Sequence, residues 1–243
     1  MMAALRSVGD WARRLAVLLT APAILLPAHC CNISGLLFHM CDADRDLHKW
    51  VLRWIALPLR DPGAKMSTCL AFNGAGVRSV ELLVEVVLMS LYGPRAREVH
   101  GDDLTRIFNP WMSGARLVVV HAGTFHRVPV AQLKTLAISS HVWINEHGKA
   151  ERVEENHANF IYLSNLGDFL QVGTSCRRFT VIETPPAPHS RFHRAVTDEI
   201  QNGGIEAFHA YLVNDLDMAD FTTSTLPPEP THTLPQISAA RAA

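Results

Sequence analysis

Residues 68–92 read TCLAFNGAGVRSVELLVEVVLMSLY. The apolar run Thr68 to Phe72 has the length and composition of a buried strand. Asn73-Gly74-Ala75-Gly76 is a turn signal. From Ser79 to Tyr92, Val80, Leu83, Val84, Val87, Leu88 and Leu91 recur at the helical period. A strand, a glycine turn and a helix form the setting in which backbone N–H groups close around phosphate oxygens, aided by the helix dipole. The full phosphate-loop pattern is G-x-x-x-x-G-K-[ST]; here the loop is about two residues shorter and Arg78-Ser79 stands where Lys-Ser or Lys-Thr would be. Alone this signal is weak, because a glycine turn entering a helix is more often only a turn.

Outward from this stretch, strand-like and helix-like segments alternate. Asp46 to Leu57 reads as a helix carrying Leu47, Trp50, Val51, Trp54 and Ile55 on one face, closed by Pro58 and the Asp61-Pro62-Gly63 turn. Arg116 to Val120 is a second buried strand, apolar throughout from Leu117. Val142 to Ile144 and Glu151 to Val153 flank Glu146-His147-Gly148-Lys149, a polar-tipped hairpin. Phe160 to Leu163 and Phe179 to Glu183 are further buried strands, and Gly204 to Leu216 is a late helix. Alternation of this kind predicts an α/β fold with a mostly parallel sheet, whose active crevice lies at the carboxyl ends of the strands.

The 243 residues suffice for one large domain or two small ones. A hydrophobic fraction of 48% allows a sizeable core and excludes a chain disordered throughout. Twenty-two basic against 23 acidic residues exclude a globally basic nucleic-acid coat but not a local basic patch. Five cysteines with no C-x-x-C pair make reduced thiols the default and a cytoplasmic protein the expectation. Arg6, Arg13 and Arg14 ahead of the apolar run Leu15 to Ala28 resemble a signal peptide; the alternatives are an apolar helix end followed by an irregular segment and non-native sequence upstream of a truncated domain. Because the run contains two prolines and is too short to span a bilayer, no membrane association is expected. From Thr222 the composition predicts a disordered Pro/Thr-rich tail.

The residues just after each strand carry the chemistry. A nucleotide hydrolase places acids after its second strand to hold magnesium and orient water; this chain has His121-Ala122-Gly123. Ser164-Asn165 after the next strand could touch a γ-phosphate, and Arg177-Arg178 ahead of the last could reach a neighbour's phosphate as a finger. The ordinary alternatives are a turn and a pair of solvated charges. Thirteen histidines raise the question of a metal. His121, His126 and His141 fit no standard zinc spacing and have no acid or cysteine close in sequence, so no metal site is expected.

Taken in order, these pieces resemble the superfamily 3 helicase domain of phage, plasmid and provirus primase–helicase proteins. The resemblance is carried by LHKWVLRWIALPLRDPGAKM (47–66), RIFNPWM (106–112), LKTL (133–136) with 142–149, ENHANFIYLSN (155–165) and RRFTVIETP (177–185), and it spans roughly residues 40 to 225. It implies a P-loop NTPase fold of AAA+ type with a β-hairpin insertion. The implied domains are an apolar segment over 1–40, a helicase-like domain over 41–221 and a tail over 222–243. It implies ATP and magnesium as cofactors if the domain is active. Its implied partners are single-stranded or forked DNA, a homo-oligomeric ring or a primase. Gly74, Gly76, Arg78 and Ser79 fall at the phosphate loop, Asn165 at the sensor asparagine, Arg177 or Arg178 at the finger, and His147 and Lys149 near the DNA-tracking hairpin tip. The departures are the missing lysine, the short loop, and Ala122 and Gly123 in place of both acids of the second motif. Losing several such parts predicts impaired hydrolysis. The alternatives are an active ATP-dependent helicase with atypical motifs and a non-catalytic interaction scaffold.

Overall fold

The computed structural model describes residues 29–74, 76–121, 135–164 and 178–228. Five strands form a wholly parallel sheet: β1 (Cys69–Gly74), β2 (Ala96–His100), β3 (Leu117–His121), β6 (Asn159–Ser164) and β7 (Phe179–Thr184), in the order β2-β3-β6-β1-β7. Between β3 and β6 in the chain, β4 (His141–Ile144) and β5 (Arg152–Glu155) pair antiparallel as a separate hairpin. The α/β class, the mostly parallel sheet and the hairpin are as the sequence predicts.

The apolar strands are buried because both faces are covered. Leu70, Phe72, Leu117, Val119, Ile161, Leu163 and Ile182 point into one core. Cys69, Ala71, Val118, Val120, Phe160, Tyr162 and Phe179 point into the other. This is the period of two along a pleated strand. The first core is filled by helices: α1 (Cys31–Met40), α2 (Arg45–Arg60), α3 (77–92), α4 (Ser190–Glu199) and α5 (Ile205–Ala210). Helix α3 opens as Val77–Val80, widens to π-helical spacing over Glu81–Leu88, where Met89 N–H reaches Val84 O, and closes as Met89–Tyr92. The second core lies under the short turns at Gly101–Thr105 and Pro110–Met112 and under the inward residues Val142 and Ile144 of the hairpin.

Four boundaries differ from the sequence reading. Helix α1 belongs to the main core, with Ile33, Leu36, Leu37 and Met40 fully buried, so the folded unit begins before residue 41. Helix α2 runs past Pro58 to Arg60. Proline removes one donor there, yet Asp61 N–H still reaches Leu57 O and the buried ring packs. The late helix is the second half of a longer helical stretch from Ser190 to Asp215, bent where Asn202 and Gly203 leave helical angles. At the other end, Ser67 N–H donates to Thr223 O and Trp50 Nε1–H to Thr225 O, so residues 222–225 fold back on the domain.

Helix α2 starts on Asp44, whose carboxylate accepts the N–H groups of Asp46 (2.9 Å) and Leu47 (3.0 Å). Asp44→Ala is expected to cost about 1 kcal/mol in a urea unfolding series, because two N-terminal donors lose their partner.

Candidate functional site

In an open parallel sheet the crevice forms at the carboxyl ends of the strands, where the order reverses. Here β1 lies between β6 and β7, and the chain leaves β1 through Gly74 and Gly76 into α3. Gly76 O accepts the N–H groups of Ser79 (2.9 Å) and Val80 (3.1 Å), which makes Gly76 the start of the helix.

Both glycines are demanded by β7. A Cβ on Gly74, whose φ is +121°, meets Thr184 O at 2.7 Å; one on Gly76 meets Pro185 O at 2.7 Å. Thr184 Oγ1 donates to Asn73 O (2.8 Å), and Asn73 Nδ2 donates to the Glu183 carboxylate (3.0 and 3.1 Å). The turn is therefore stapled to the end of β7. Ser79 is buried, with Oγ 3.2 Å from His193 Nε2 on α4. Arg78 is exposed. Burial, then the positive neighbours His39 and Arg78, push the His193 pKa down.

The setting departs from the phosphate-loop pattern at three points. The hydroxyl that would reach the metal is engaged by His193, the turn lies against β7 backbone, and β3 ends in His121 instead of an acid.

Of the other residues predicted for the nucleotide site, the one that is described, Arg178, is not at this turn. Arg178 precedes β7 at the opposite end of the sheet, where its carbonyl accepts the Cys69 N–H (2.7 Å). Asn165 and Arg177 lie outside the described residues, as do Ala122, Gly123 and His126. The asparagines of the 155–165 stretch that are described hold the backbone. Asn159 Oδ1 accepts Met66 N–H (2.7 Å) and its Nδ2 donates to Ala64 O (3.1 Å). Asn156 Nδ2 donates to the carbonyls of Leu136 and Ser139.

No protein-family profile matches the chain, and no curated protein sequence matches it. Solved structures do. The apo structure of the NrS-1 C-terminal region (305–718) superposes with a TM-score of 0.67 at 22% identity, covering 76% of this chain and 46% of that one. The A form apo structure of the same region gives 0.64 at 19%, covering 82% and 50%. The likeness is one of fold. This chain spans about half the length of those structures.

The hairpin is the second candidate surface. Lys149, predicted near its tip, is paired with Glu146, and the neighbouring cation Arg152 with Glu146 and Glu154 at 2.7 Å each. The Arg152 hydrogen bond, with Lys149 adding to it, holds the Glu146 carboxyl down at about 2. Between His141 and Glu155 stand four carboxylates against two such cations, so phosphate attraction at the tip is weak.

The hairpin's other offering is aromatic. Trp143 is 66% exposed and pairs across the strands with exposed Val153. Phe108 is exposed beside the His147 ring at 5.8 Å between centroids. Asn109 ties the Phe108 loop to the hairpin, donating from Nδ2 to Trp143 O (2.8 Å) and accepting Asn145 N–H (2.8 Å). The motif-led reading passed over Trp143. Its signal was the period of two in His-Val-Trp-Ile, which turns Val142 and Ile144 inward and Trp143 out.

Proposed function

We propose that this chain is a superfamily 3 helicase-like domain of a replication protein that no longer hydrolyses ATP and that binds single-stranded DNA through its hairpin. The observation that carries the reading is the glycine turn. Its two glycines serve a close approach to β7, and Ser79 is committed to His193. The fold shared with the NrS-1 C-terminal region and the resemblance of residues 47–185 support the helicase-like ancestry. On the hairpin, Trp143 and the Phe108–His147 pair offer stacking surfaces for bases where the paired cations offer little to phosphates. Ring assembly, or a primase partner, accords with the same ancestry, with Arg178 at a sheet end from which it can meet a neighbour.

The test has two parts. Titration calorimetry with magnesium-ATP should show no heat up to millimolar nucleotide. Micromolar binding abolished by Arg78→Ala would establish a working phosphate site and defeat the proposal. Binding of an oligo-dT by fluorescence anisotropy should weaken about tenfold in Trp143→Ala, since one stacked base contributes about 1–3 kcal/mol. It should also show a shallow salt slope, because few phosphates are neutralised. Equal affinity in the variant removes the hairpin from the DNA surface and favours the scaffold reading.

A further inference from the structure

On the helix-covered face of the sheet, at the edge formed by β2 and β3, three side chains converge. His121 is the last residue of β3 and Glu98 lies on β2. Both belong to the same sheet face, since Ala96 and Leu117, two and four residues back along those strands, pack in the helical core. Glu85 comes from the π-helical part of α3, which lies over that face. His121 Nε2 is 2.9 Å from Glu98 Oε1 and 3.6 Å from Glu85 Oε1, and all three ligand atoms lie within 4.8 Å of one another.

The cluster is poorly satisfied by its own members. His121 Nε2 is buried and, among the described residues, makes no hydrogen bond of acceptable geometry, although Glu98 Oε1 is near. No lysine or arginine among the described residues pairs with either carboxylate. Two carboxylates and a buried ring nitrogen thus face one another with no cationic side chain of the described residues between them.

We propose that Glu85, Glu98 and His121 bind a divalent transition-metal ion of the zinc type. Four-coordinate zinc has ligand arms of about 2.0–2.2 Å, which sets the edges of its tetrahedron at roughly 3.4 Å; the two contacts of His121, at 2.9 and 3.6 Å, lie on either side of that length. Two carboxylates neutralise the dication, and the imidazole selects a borderline metal over magnesium, which prefers six oxygens and keeps its waters. Three protein ligands leave the fourth position open to water or an outside ligand. The His100 ring lies in register beside His121 with centroids 5.5 Å apart, and the His100 backbone N–H donates to Asp103 Oδ2 (3.0 Å). The sequence reading missed the site because its acids lie 23 and 36 positions upstream of His121, on another strand and on a helix.

This proposal does not depend on the fate of the nucleotide site, because Ser79 turns to His193 and takes no part in the cluster. The test uses the full 243-residue chain, tag-free and stripped with chelator. Zinc is titrated in competition with a chromophoric chelator, and cobalt absorption reads the coordination. One zinc per chain with micromolar affinity is expected. Glu98→Gln and Glu85→Gln should each weaken it by at least about 10-fold, and His121→Ala by about 100-fold. His141→Ala, a surface histidine outside the cluster, should leave it unchanged. Glu98 is half exposed, so its variant reads binding even if His121→Ala does not fold. Cobalt should give the intense visible bands of four- or five-coordination, and these should be lost in Glu98→Gln. No zinc binding up to millimolar overturns the proposal. So does stoichiometric binding that the Glu98 and His121 variants leave unchanged, which would assign the metal to other histidines.

Discussion

Gly74→Ala is expected to destabilise the chain by about 3 kcal/mol, and to do so with or without nucleotide. Two causes act together. The residue holds φ at +121°, a region where side chains are strained, and its new Cβ would meet the carbonyl oxygen of Thr184 at 2.7 Å, backbone that cannot swing aside. Thr184 is itself held by its hydroxyl on Asn73 O, so relief requires opening β1 from β7 at the carboxyl end. Gly148→Ala at the hairpin tip is the control. It has φ at +75° and nothing within 4 Å of the added carbon, so it should cost only about 1 kcal/mol. Urea unfolding of both variants measures the difference. Equal costs would mean that the approach to β7 constrains nothing, and the turn would regain its reading as a phosphate loop kept open by glycine.

Acid should unfold this chain early, and His48 should be a main reason. The side chain is buried in the helical core, with Nε2 3.3 Å from Ser34 Oγ and its ring 5.3 Å from that of Phe38. Burial pushes its pKa down to about 4, an interaction with Ser34 opposing only in part. The unfolded imidazole titrates near its ordinary value of about 6.5. Between the two values the unfolded chain holds the extra proton, so stability rises with pH across that window. The contribution is complete above about pH 6.5 and is lost as pH falls to about 4, an amount of about 3 kcal/mol. His48→Gln keeps a hydrogen-bonding side chain for Ser34 but cannot titrate. Its urea midpoint should be flatter between about pH 7 and pH 4.5 than that of the unchanged chain. Parallel curves would assign the acid lability to other groups.

The two expectations meet at one point about reading this protein. A glycine in a strand–turn–helix setting signals a phosphate loop in sequence because glycine is what close backbone approach requires. The approach here is to β7. Sequence could not separate the two, since the residue that fills the space, Thr184, lies 110 positions away.

Local rules were enough for much of the rest. All of β1, β3, β6 and β7 were legible as short apolar runs, because a strand covered on both faces has no polar side to break the pattern. The hairpin was legible from its polar tip. Strand β2, reading Ala-Arg-Glu-Val-His, was not: as a sheet edge it buries only Ala96 and Val99 and carries charge on the rest. Helix α1 was not legible either, since its place in the core depends on partners such as Glu199, whose carboxylate accepts the N–H groups of Asn32 and Ile33.

The chain alone therefore determined the α/β class, the alternation of strands and helices, and the run His121-Ala122-Gly123, without an acid, after β3, all of which are local in sequence. Tertiary structure decided which groups meet: β7 against the glycine turn, Trp143 outward on the hairpin, and His121 with Glu85 and Glu98 at the sheet edge. Those meetings are set by strand order and register. Both arise from packing among distant segments, and no periodicity within one segment encodes them.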